Sequence, residues 1–60
     1  MNNLKQIIKD RGLRQEWIAK RVGVDASVMS LWVNNKRQPN GVHLVQLAKA
    51  INCRAEEIYD

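Results

Sequence analysis

This sequence has little of what builds a staple or a catalytic centre. It holds one cysteine, Cys53, and one histidine, His43. A single thiol excludes an intrachain disulfide, and one Cys with one His gives no metal-ligand spacing. Cys53 sits in the apolar-flanked turn "INCRA" and reads as a buried, inert thiol. No paired acids accompany a nucleophile, so no catalytic constellation is visible. The chain is therefore not read as an enzyme, and no metal, cofactor or small-molecule substrate is expected. Three glycines and one proline leave few turn positions. There is no alternating strand pattern, internal repeat, low-complexity tract or linker. No apolar run approaches membrane-spanning length, and no signal-peptide pattern opens the chain, so a reducing cytoplasm is the default compartment and no membrane is expected. Sixty residues admit one domain, 1–60, near the lower limit for a core without disulfides or metals.

Acidic residues are also in short supply. Ten Lys and Arg face six Asp and Glu, for a net charge of +4. A small basic domain points to a polyanionic partner. The excess is uneven. Arg11, Arg14, Lys20, Arg21, Lys36 and Arg37 share their stretch with only Glu16 and Asp25, whereas Arg54 near the C-terminus stands against Glu56, Glu57 and Asp60. One end suits phosphate and the other does not.

What the chain does have is helical periodicity. Leu4, Ile7 and Ile8 mark one face of a first helix. Asn3 is placed to cap it, with Gln6 at capping-box spacing, and Gly12 to end it. A second helix spans about Gln15 to Val22, with Ile18, Ala19 and Val22 inward and Arg14 at its poorly capped start. Gly23 stops it. Asp25 is placed to cap a third helix reaching Asn34. Met29, Trp32 and in part Val33 fall on one side of that helix. Ser27, Leu31 and Asn34 fall on the other, with Ala26 and Ser30 on the flank. Lys36 to Pro39 reads as an exposed basic turn. Asn40 is placed to cap a fourth helix carrying Leu44, Val45, Leu47, Ala48 and Ile51, broken at Asn52. A short fifth helix covers about Ala55 to Tyr59, with Ile58 inward. The fold class is all-α, five short helices.

The second and third helices, joined by a glycine-containing turn, match a helix-turn-helix. In that motif the first helix braces across the DNA backbone and the second presents its start to base edges. From Leu13 to Ile58 the chain resembles the Cro-like phage-repressor (XRE) helix-turn-helix family, with the lambda-repressor-like fold. The resemblance is carried by "GLRQEWIAKRVGV", "MSLW", "NNKRQP", "LVQLAKAINC" and "EEIY" in order. It implies that Ala26, Ser27, Val28 and Leu31 face bases, and that Gln15, Asn34, Lys36 and Arg37 meet phosphate. The chain departs from the family pattern at Arg14, where Ser or Thr is usual, and at Asn35, where Gly is usual. It departs again at Val33, where Glu is common, and at Leu31, where a long polar residue is common.

Three uses of the apolar reading face follow, one of them being that its apolar character is incidental. Ala26, Val28 and Leu31 can meet thymine methyl groups, which is sequence readout by apolar contact. Alternatively, Trp17, Leu31 and Val33 on the surface would make a protein-binding patch, as in an antirepressor or adaptor. Trp32 reads as core. Trp17 either packs on the first helix or is exposed to a partner. His43 reads as a surface or half-packed histidine, with a phosphate contact as the other possibility. Tyr59 could close the core or help form a dimer contact. The leading expectation is a small transcriptional regulator, a repressor, binding double-stranded DNA. One module buries limited surface, so a weak homodimer through Asn52 to Tyr59 is expected, on half-sites about one helical turn apart.

Overall fold

A computed structural model describes residues 1–59. The five helices are α1 (Leu4–Arg11), α2 (Gln15–Val22), α3 (Ala26–Val33), α4 (Gly41–Ile51) and α5 (Ala55–Ile58). Tyr59, expected inside the last helix, is already extended. α2 packs on α3 and α4, α4 also meets α5, and α1 lies against α3.

One core holds these helices. Leu4, Ile18, Met29, Leu47 and Ile58 are fully buried, and each helix contributes one of them. Trp32 and Val33 of α3 join them, as do Ile8, Ala19, Val22, Ala48 and Ile51. Burying a side chain of this size stabilises the fold by about 1.5–3 kcal/mol, so each helix is held mainly by its apolar stripe. Two residues depart from the sequence expectation. Val45 is half exposed, because the inward arc of α4 is already filled by Leu47, Ala48 and Ile51. Pro39 is buried, although the turn around it is exposed.

The helix ends divide into expected and unexpected cases. α1 and α2 stop at Gly12 and Gly23, with φ of 64° and 86°. A Cβ at Gly23 would meet nothing within 4 Å, so the left-handed backbone alone demands glycine there. Asn35 and Asn52 also adopt left-handed conformations, with φ of 58° and 63°. Asn40 caps α4 by accepting from the His43 N–H at 2.9 Å. The cap of α1 is shifted by one residue. Asn2, not Asn3, accepts from the Leu4 N–H at 3.0 Å, while Asn3 donates to the Glu57 carbonyl at 3.2 Å. Gln6 turns away to Asp10, so no capping box forms. Asp25 occupies the N-cap of α3 but makes no side-chain cap bond.

Cys53 lies in the α4–α5 turn, half-buried. Burial, and secondly the Glu57 carboxylate, push its thiol pKa up, against a smaller opposing pull from Arg11. A raised thiol pKa keeps the sulfur protonated and unreactive near neutral pH.

Candidate nucleic-acid interface

α2 ends at Gly23, Val24 spans the gap, and α3 begins after Asp25. This short turn is braced by two amides: Gly23 and Val24 both donate to the Ala19 carbonyl, at 2.8 and 3.0 Å. The inner side of α3 is fixed by Met29, Trp32 and Val33. Its outer side is therefore fixed too. Ala26, Ser27, Ser30 and Asn34 are exposed, and Val28 and Leu31 are half-buried.

The two half-buried apolar residues are not equivalent. Val28 packs against the core cluster and lines a groove of about 470 Å³, so burial explains its apolar character. Leu31 is not among the residues packed on that cluster. Its apolar side chain thus serves no evident core purpose. Val33, by contrast, is only 5% exposed. The family pattern's glutamate is replaced here by a core valine, and this removes Val33 from any surface patch. A protein-binding face built on Trp17, Leu31 and Val33 loses one of its three members.

The groove beside α3 is lined by Val24, Asp25, Val28 and Trp32 together with Arg37, Gln38, Asn40 and His43. His43 is half-packed against Trp32, ring centroids 5.0 Å apart. Val28 and Trp32 of α3 and Arg37 of the basic turn thus line one groove.

The turn after α3 is tightly folded. The Lys36 and Arg37 N–H groups both reach the Leu31 carbonyl, at 3.0 and 3.3 Å, and the Asn35 N–H reaches Trp32. These amides are engaged at the end of the helix. Any grip on phosphate must therefore come from the Lys36 and Arg37 side chains, which are exposed. Asn34 is exposed, and its amide donates back to the Ser30 carbonyl at 3.0 Å. Gln15 opens α2, where the first-turn N–H groups lack helical partners and favour an anion.

The basic stretch is less uniform than its composition suggests. Arg11 caps the far end of α4, donating to the Ile51 and Asn52 carbonyls at 2.8 and 3.0 Å. Arg21 lies over the Trp17 ring, 4.8 Å from its centroid, and Trp17 is 44% exposed. Arg14 stands 4.0 Å from Glu16 in an exposed pair that contributes little. Lys36 and Arg37 take part in no ion pair among the described residues. Among those residues no group of three or more His, Cys, Asp or Glu is arranged to hold a metal, and no helix is long and apolar enough to cross a membrane.

A helix pair joined by a tight glycine turn, its second member anchored on one side and open on the other beside a basic turn, defines a helix-turn-helix domain. Residues 3–60 match the family model of the Cro/C1-type HTH DNA-binding domain, and the chain belongs to that family. A search of curated proteins gives no match. Among solved structures, the chain is similar to a candidate DNA-binding protein from Bacteroides fragilis. That similarity has a TM-score of 0.91 and 26% identity, over 97% of this chain and 94% of that one. The resemblance seen in the sequence and the five-helix fold agree with both findings.

Proposed function

We infer that this domain binds double-stranded DNA sequence-specifically as a small transcriptional repressor, with α3 in the major groove. The observation that carries this reading is the exposed outer face of α3, fixed by its buried inner face and followed directly by the exposed side chains of Lys36 and Arg37. A groove of B-DNA roughly 12 Å wide admits one helix. Ala26, Ser27 and Leu31 would then face bases, with Val28 at the margin of the contact. Gln15, Asn34, Lys36 and Arg37 would hold register on the phosphates. The domain acts as a weak dimer through Asn52 to Tyr59, because a single module of this size buries too little DNA surface for useful specificity.

The test is selection of bound duplexes from a random library, followed by salt titration on the enriched sequence. Lys36→Ala and Arg37→Ala should each flatten the dependence of log affinity on log salt by about one unit. No enriched sequence and no salt-dependent binding would overturn the reading.

A further inference from the structure

The one buried polar side chain among the described residues is Asn2. It lies far in sequence from the DNA-binding elements, yet its contacts converge on the turn after α3. Its backbone N–H donates to Asn35 Oδ1 at 2.7 Å, and its carbonyl accepts from Asn35 Nδ2 at 3.3 Å. Its own Nδ2 donates to the Trp32 carbonyl and to Gln38 Oε1, both at 2.9 Å. Gln38 in turn donates to Asn35 Oδ1 at 3.1 Å. Lys36 and Arg37 are the two residues between these anchors. Next to them, the Tyr59 hydroxyl donates to the Pro39 carbonyl at 2.8 Å.

Asn2 is itself held on the opposite side. It pairs with Tyr59 in an isolated antiparallel bridge, and the Asn3 N–H donates to the Ile58 carbonyl at 2.7 Å. Its chemistry separates two jobs. Capping α1 needs only the acceptor Oδ1. The two Nδ2 hydrogens serve the Trp32 carbonyl of α3 and the Gln38 side chain instead. An aspartate would cap α1 equally well but could donate nothing.

We propose that Asn2 is a positioning residue for DNA binding, which holds the Lys36–Arg37 turn in register with α3 through Asn35 and Gln38. The proposal rests on the reading that Lys36 and Arg37 meet phosphate. It goes further by assigning a role to a residue that touches no DNA. Free of the clamp, the two cations would sample positions off the phosphate path, and the ordering would have to be supplied on binding.

The test uses the whole chain and a duplex carrying its selected sequence, well below each variant's thermal midpoint, with folding checked by circular dichroism. Asn2→Asp keeps the cap and removes the donors. Gln38→Ala removes an exposed partner without adding charge. Both should bind about tenfold more weakly and show a flatter salt dependence. Adding Lys36→Ala to either should cost less than it does in the unaltered chain. Folded variants with unaltered affinity and salt slope, or losses that simply add, would overturn the proposal. Should Asn2→Asp not fold, Gln38→Ala decides by the same criteria. If Lys36→Ala and Arg37→Ala leave the slope of the unaltered chain unchanged, the phosphate reading fails and the proposal with it. If they flatten it and Gln38→Ala does not, the proposal alone fails.

Discussion

At the start of α3 the exposed side chains are short. Ala26 and Ser27 reach little, and Val28 is drawn toward the core. Leu31 is the large side chain left on that face without a place in the core cluster. Replacing it with alanine should reduce preference at a thymine-containing position more than it reduces general affinity. Competition of the variant between matched and substituted duplexes measures this, and uniform loss would count against methyl readout. Helical spacing made Met29 and Trp32 legible as core residues. It placed Val33 only in part, because at a helix end the direction depends on what the chain does next. Here Val33 is buried in the core cluster. Asn2 was not legible at all. Its partners lie 30 to 36 residues away, and no local pattern reports a hydrogen bond across that separation.

The helices themselves were legible as elements, since periodic apolar stripes and Gly or Asn stops are local signals. Their caps were less so. A cap depends on whether one short side chain turns toward an amide, and Asn2, Asn3, Asp25 and Asn40 all have the right chemistry. Only Asn2 and Asn40 accept from the helix they precede. Asn40→Ala should therefore lower unfolding free energy by about 1 kcal/mol. Asp25→Ala should cost clearly less, no more than about 0.5 kcal/mol, since it forfeits only the attraction of its charge to the helix start. Urea unfolding of the two variants provides the comparison; equal losses would show that Asp25 caps α3 after all.

For the molecule as a whole, size and charge set what it can do. Its extents are 24 × 22 × 18 Å. Successive major-groove faces on one side of a duplex recur about every 34 Å. Two copies therefore fit on adjacent turns without overlap, and a contact between them requires side chains and a lean toward each other to close about 10 Å. The selected DNA should be an inverted repeat with half-site centres about 10 base pairs apart, and footprinting of the bound duplex reads this directly. A single unrepeated site occupied by one copy would contradict the dimer. The net charge of +4 predicted the polyanion but overstated the number of free cations. Arg11 and Arg21 face protein groups, which composition cannot reveal.

The bridge between Asn2 and Tyr59 closes residues 2–59 almost into a ring. A tether between the two ends would have little distance to cover, and a circularly permuted chain, opened instead at an exposed loop, would keep every helix contact. The same proximity means that segments joined before Asn2 and after Tyr59 would start close together, near the turn that carries Lys36 and Arg37. Fusion position thus becomes a choice about crowding beside Lys36 and Arg37, and the two points of attachment are not independent alternatives.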